Sequence, residues 1–240
     1  HLNGAVHEPA MIAAFLAIKE RHDIKTVFDV GALWGYFTLV CAQIFEGAGI
    51  VAFEMHPGAI KPLSKNIAPV PCVLGVVSDE CRPSTKIWVS GFNIYEEPDG
   101  GWENLDKIPG AMKPRGENNQ GRGFARVPFL TLDEFCGSTE TVPDLIKIDV
   151  EGYQAKAIAG GLRTFAKHRP IVIVELHDPD KLARFATSNK ATVQPLFELG
   201  YRGFWCGNFR SPEARFEAVD GLDERHEKLS IMVFVPEERL

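Results

Sequence analysis

The segment FDVGALWGYF, residues 28–37, places Gly31 and Gly35 where a short apolar run gives way to a helical pattern. Glycines at such a strand-to-helix turn let the backbone come close to a ligand. The first helical turn then offers unpaired N–H groups to a carboxylate or phosphate. The spacing G-x-x-x-G is neither G-x-G-x-x-G, the dinucleotide pattern, nor G-x-x-x-x-G-K-[ST], the phosphate loop. Alone, it also fits a tight turn with no ligand. Glu54 closes the next apolar run, in AFEMHP. A carboxylate roughly 20 residues beyond a glycine turn can accept from both hydroxyls of a ribose, and its charge disfavours a 2′-phosphate. The pair points to a ligand that contains adenosine.

Two further runs end in polar groups. In LIKIDVEGYQAKAIAGG, residues 145–161, Asp149 leaves a strand at its carboxyl end, with Glu151 and Gly152 just beyond. Open α/β sheets bind ligands at that end. Lys147 shares a strand face with Asp149, because strand side chains alternate with a period of two, and a buried ion pair is the expected reading. IVIVELH, residues 171–177, brings Glu175 and His177 to the mouth of an adjacent strand. An imidazole titrates near neutrality, so His177 suits a general base, with Glu175 to orient it and Glu151 as the competing base. An ordinary strand-end histidine fits the same position. Alternatively, Asp149, Glu175 and His177 hold a divalent ion that acidifies a hydroxyl. No ligand-spacing motif joins them, so no metal ligand is assigned.

Positioning these groups requires strands that end together. Apolar spacing predicts a leading helix over 8–21 and further helices over 36–45, 58–67, 155–167 and 193–199. Strands are predicted over 26–30, 50–53, 72–77, 85–89, 127–130, 145–148, 171–174, 201–206 and 231–235. The alternation implies a parallel sheet with right-handed crossovers. The last two strands, joined by a polar stretch, predict an antiparallel hairpin at one edge. Residues 91–126 read as a long loop or insertion that carries Phe92, Tyr95, Trp102 and Phe124 beside Arg115, Arg122 and Arg126. Such segments are functional or disordered, and aromatic faces beside arginines suit a sugar, a ring-bearing metabolite or an anionic acceptor. A solvated spacer has the same composition.

The 240 residues, 45% of them apolar, suit one domain over 1–240 that needs no staples. A net charge of -6 disfavours nucleic acid and anionic membranes as partners. No apolar run approaches the ~20 residues of a membrane span. Five scattered cysteines without a C-x-x-C pair predict free thiols in a reducing compartment, hence a cytoplasmic protein. A start at His1 rather than Met predicts a chain trimmed from something longer, and nothing there resembles a signal peptide.

The order of FDVGALWGYFTLVCA, VAFEMHPGAI with Asn66 downstream, TLDEF, LIKIDVEG and IVIVELH resembles the FkbM-type methyltransferases, from about residue 26 to residue 177. The resemblance implies S-adenosylmethionine as cofactor and methylation of hydroxyl groups on sugars or secondary metabolites, with a small-molecule or glycan acceptor. It implies a Rossmann-like class I α/β fold: a mostly parallel seven-stranded sheet, an antiparallel edge hairpin and helices on both faces. Asp29, Gly31, Ala32 and Gly35 would border the methionine part of the cofactor. Glu54 would hold the ribose, Ser78 or Asp79 would lie near the adenine, and Asp149 would face the methionine amino group or the acceptor. Leu33 stands where the family usually has Asn, Met55-His56 replaces Pro-Asn, and Gln154 stands where Glu is common. A nucleotide-dependent oxidoreductase would need another glycine pattern and another sheet ending. A non-catalytic binding module would not need Gly31, Gly35, Glu54 and Asp149 together.

Overall fold

Apolar runs without polar alternation become strands covered on both faces. In the computed structural model, which describes residues 7–90, 93–98, 101–107 and 122–240, five such runs line up side by side. They are β1 (Thr26–Val30), β2 (Gly49–Glu54), β3 (Cys72–Leu74), β8 (Leu145–Ile148) and β9 (Ile171–Leu176), all parallel, in the order β3-β2-β1-β8-β9. Three antiparallel strands extend the sheet beyond β9: β12 (Ser230–Pro236), β10 (Tyr201–Cys206) and β11 (Glu217–Val219). The sheet therefore has eight strands rather than seven. The predicted antiparallel pair β10–β12 forms toward one edge, with β12 beside β9 and β11 added outermost. All seven residues of β12 are buried, so it needs a neighbour on each side, whereas β10 alternates and tolerates a more exposed place.

Helices cover both faces. On one, Phe28, Val30, Ile146, Ile148 and Val172 pack with residues of α4 (Leu132–Thr139), α5 (Gln154–Ala159), α6 (Leu162–His168) and α8 (Asn189–Glu198). On the other, Val27, Ile50, Leu145 and Ile171 pack with Met11, Phe15 and Ile18 of α1 (Pro9–Arg21) and with Phe37 and Cys41 of α2 (Tyr36–Ile44). Alternate residues of each strand thus serve opposite cores. Near β2, α3 (Pro57–Ile67) packs Leu63 and Ile67 on Ala32 and Ala52. A short α7 (Pro179–Leu182) follows β9.

Two predicted elements divide at glycines. The run 72–77 breaks at Gly75 into β3 and β4 (Val76–Val77), because the chain there passes so close to Pro128 and Leu130 that a Cβ would sit 2.8 Å from the Leu130 side chain. The helix predicted over 155–167 is two, α5 and α6, hinged at Gly160-Gly161, where a Cβ on Gly160 would lie 1.8 Å from the Ser78 carbonyl oxygen. Strand β4 leaves the main sheet for a second one, ordered β4-β7-β5-β6 with β5 (Arg82–Ser90), β6 (Asn93–Tyr95) and β7 (Arg122–Leu130). Both ends of the segment read as a loop, 91–126, are therefore sheet. Ile87, Val89, Ile94, Val127 and Phe129 form its inner face, while Trp88, Phe124 and Trp102 stack edge-to-face with Lys86 over the Phe124 ring. Phe92 and Arg115 lie outside the described residues.

Candidate active site

The crossovers leave the sheet in opposite directions on either side of the β1–β8 pair, and a crevice opens at the carboxyl ends of strands at such a switch point. A cleft enclosing about 760 Å³, part of it open solvent, lies there, bordered by Gly31, Leu33, Glu54, Asp149, Tyr153 and Arg184.

The glycine turn is held by backbone. Gly31 has φ +84°, and a Cβ on it would sit 1.8 Å from the Asp149 carbonyl oxygen, so only glycine lets the end of β1 pack on the end of β8. The N–H groups of Gly31 and Ala32 both donate to the Phe53 carbonyl, at 2.9 and 3.0 Å. Leu33 and His56 donate their N–H groups to the two oxygens of Glu54, each at 2.7 Å. Burial raises the pKa of Glu54, and these two N–H groups oppose the shift. The departures from the family pattern have local roles: Leu33 uses its backbone, His56 caps α3 through Nδ1, and Gln154 donates to the Glu175 carbonyl at 2.7 Å.

Four of the residues expected at the cofactor are not among those lining this cleft. Asp29 is fully buried, where it accepts from the Thr38 hydroxyl at 2.6 Å and from Lys147 Nζ at 3.0 Å. Ala32 packs on α3, and a Cβ on Gly35 would meet Ile67 at 2.2 Å. Ser78 is buried, donating to Asp79 beside the Tyr153 hydroxyl. Gly31, Glu54 and Asp149 do face the cleft. Lys147 is 3.7 Å from Asp149 and donates to the Gly31 carbonyl at 3.3 Å. Burial pulls its pKa down, but Asp29 and Asp149 more than offset this and keep it charged.

Beside the cleft, Asp149, Glu175 and His177 each bring one donor atom to within 4.8 Å of the others. Glu175 and His177 are almost wholly buried. Burial, reinforced by Asp149 and Glu8, pushes the Glu175 carboxyl up to about 9, while burial and Lys181 lower the pKa of His177. Glu151 lines the cleft but is paired with Lys181.

Sequence reading missed Glu8, Arg184 and Arg210. Glu8, at the start of α1, and Glu175 converge on Arg210, at 3.5 and 3.7 Å. Arg184 donates to Asn93 and to the Ile94 carbonyl and lies 4.2 Å over the Tyr95 ring, tying the segment after β9 to the small sheet. These contacts join distant stretches of chain and leave no local pattern.

The methyltransferase FkbM domain family matches residues 29–202. Among solved structures, an FkbM methyltransferase from Methylobacillus flagellatus KT superposes with TM-score 0.50 at 12% identity, over 88% of this chain and 44% of that one. A TehB-like SAM-dependent methyltransferase from Corynebacterium glutamicum ATCC 13032 Kitasato gives 0.48 at 10% identity, over 97% and 89% of the two chains. Precorrin-6y C5,15-methyltransferase from Geobacter metallireducens GS-15 gives 0.46 at 15% identity, over 94% and 86%. The chain spans less than half the length of the Methylobacillus protein, and likeness at such identities speaks for the fold alone. No curated protein matches the sequence. With its domain matched over most of its length, the chain belongs to the FkbM family of S-adenosylmethionine-dependent methyltransferases.

Proposed function

We propose that residues 1–240 act as one methyltransferase domain that methylates a hydroxyl on a sugar or small secondary metabolite. The observation that carries this reading is the pairing, across one cleft, of the buried Glu54 carboxylate with Asp149. The cleft suits the cofactor. Each Glu54 oxygen accepts one N–H and keeps lone pairs for ribose hydroxyls. Met55, Val76 and Val77 offer an apolar wall for an adenine, and Asp149 can meet an ammonium. Asp29, Ala32, Gly35 and Ser78 then support the cleft from behind rather than touch the ligand.

When bound, S-adenosylmethionine supplies an electrophilic methyl on a sulfonium, which the acceptor oxygen takes as the C–S electron pair returns to sulfur. The chain's part is alignment and proton removal. His177, neutral through burial, accepts the hydroxyl proton; Glu151 is the alternative base. Glu175, which holds its own proton at neutral pH, shapes the pocket beside them. A second reading, in which Asp149, Glu175 and His177 act through a metal, is favoured by their convergence. The free thiols of all five cysteines support a cytoplasmic setting.

Thermal shift tests the cofactor class. S-adenosylmethionine and S-adenosylhomocysteine should each raise Tm and NAD should not, since only a ligand of the folded state stabilises it. Stabilisation by NAD alone would overturn the reading.

A further inference from the structure

Buried polar atoms without partners are rare, because each costs free energy that a hydrogen bond or an ion normally offsets. Two such atoms belong to residues at or near this end of the sheet. His177 Nε2 and Glu8 Oε2 are both buried and have no hydrogen-bond partner. The backbone of His177 is pinned by Asn189, which accepts its N–H at 3.3 Å and donates to its carbonyl at 2.9 Å, while ring Nε2 is buried without a partner. Around it stand Asp149 from the end of β8 and Glu175 from β9, with donor atoms within 4.8 Å of one another. No other such group occurs among the described residues.

The cluster is rich in carboxyl groups. Asp149, Glu175 and Glu8 bring three carboxyl groups. Lys147 is already committed to Asp29 and to the Gly31 carbonyl. Arg210 is 56% exposed and reaches Glu8 and Glu175 only at 3.5 and 3.7 Å. Lys147 also stands 3.7 Å from Asp149, so the neighbouring side-chain cations reach these carboxyls only at 3.5–3.7 Å, which leaves room for a more closely bound ion.

We infer that Asp149, Glu175 and His177 bind a divalent metal ion, with Glu8 of the leading helix closing the site as an outer carboxylate. Metal–nitrogen and metal–oxygen distances of about 2.0–2.2 Å allow two ligands of one ion to stand up to roughly 4.3 Å apart. Ligands that are not opposite one another stand closer, at roughly 3–3.5 Å, so the three side chains, now within 4.8 Å of one another, would draw together by rotation on binding. One imidazole with carboxylates favours Mn²⁺, Fe²⁺ or Zn²⁺ over the all-oxygen preference of Ca²⁺ or Mg²⁺. Glu175 would bind the ion as a carboxylate, since ligand carboxylates must be ionised. Three protein ligands leave positions open to water or to an acceptor hydroxyl, which the ion would acidify. That last role rests on the methyl-transfer reading; the binding of the ion does not.

The test is direct titration of the full chain. The protein is stripped with chelator, exchanged into metal-free buffer and titrated with Mn²⁺, free ion being read by electron paramagnetic resonance. Saturable one-to-one binding is expected, with a rise in Tm. His177→Ala and Glu175→Gln should each weaken it at least tenfold, and Glu8→Gln by a smaller factor. Absence of binding by the folded wild-type chain at millimolar Mn²⁺ overturns the site. Binding that both His177→Ala and Glu175→Gln leave unchanged, with their fold verified by circular dichroism, overturns it too. S-adenosylhomocysteine affinity is measured in parallel without metal. Its loss with Mn²⁺ binding intact would count against the cofactor reading alone, and the converse against the metal site alone.

Discussion

The carboxylate of Glu54 accepts the backbone N–H of Leu33 at 2.7 Å, across 21 positions of sequence. One side chain therefore fixes the shape of the glycine turn and faces the cleft that the turn borders. Its second oxygen holds His56 N–H in the same way, so the end of β2 and the turn after β1 form one rigid rim.

Replacing Glu54 by Ala should consequently do two things. Loss of a charged hydrogen bond to ligand costs about 1.5–3 kcal/mol, or roughly tenfold or more in affinity. The N–H groups of Leu33 and His56 also lose their partners, so Tm should fall even without ligand. Calorimetric titration with S-adenosylhomocysteine and a thermal melt check both. Unchanged affinity would remove the ribose assignment.

Lys147 and Asp29 are the buried pair on which the central strands close. Lys147→Met strands a fully buried carboxylate and should destabilise the chain by about 3–5 kcal/mol. Adding Asp29→Leu should recover a large part of that loss, because the orphaned charge goes with it. Urea unfolding of the wild type, both single variants and the double variant measures the coupling. Additive losses would show that the pair is not coupled.

Gly31 and Gly47 share φ +84°, yet their surroundings differ. A Cβ on Gly47 meets nothing within 4 Å, so Gly47→Ala should cost only the left-handed backbone term, about 1–2 kcal/mol. Gly31→Ala adds a collision with the Asp149 carbonyl and should cost clearly more, with loss of S-adenosylhomocysteine binding. The added Cβ meets the chain just beyond β8, at the Asp149 carbonyl. Equal losses of stability in the two variants would contradict this.

Acid stability should depend on Glu96. Burial raises its pKa, but hydrogen bonds from Tyr153, Arg82 and Lys156 win and lower it below the ordinary 4.5. A carboxyl depressed on folding adds stability that is present above its unfolded value and lost as pH falls through its folded value. The wild type should therefore lose stability below about pH 4.5 more steeply than Glu96→Gln. Parallel urea titrations from pH 6 to 3 check this. Identical slopes would show that Glu96 contributes nothing to acid unfolding. The effect is modest because the carboxyl is partly solvated.

What could be read from the residues was what the backbone dictates locally. Largely apolar runs gave β1, β8 and β9 their places, and polar residues at the ends of such runs put Glu54 and Asp149 at the cleft. The second sheet was not legible, because 72–77 is one continuous apolar run and its break at Gly75 depends on how near Pro128 approaches. Helical spacing likewise runs on through Gly160-Gly161, where contact with Ser78 forces the division. Asp29 and Ser78 carry the residue types of ligand contacts, and only the fold reveals that Thr38, Lys147 and Tyr153 already occupy them. Glu8 and Arg210 meet across 202 positions, beyond any pattern in the chain.

The place of β12 constrains how the chain is made. This strand follows both β9 and β10 in sequence and yet inserts between them, pairing antiparallel with each. On the ribosome, therefore, β9 and β10 emerge with a gap between them, each presenting an unpaired apolar edge until residues 230–236 arrive. Exposed edges of this kind invite pairing with other chains. Closure of the main sheet thus waits on the last strand to be made, and until then the facing edges of β9 and β10 stay open to pairing.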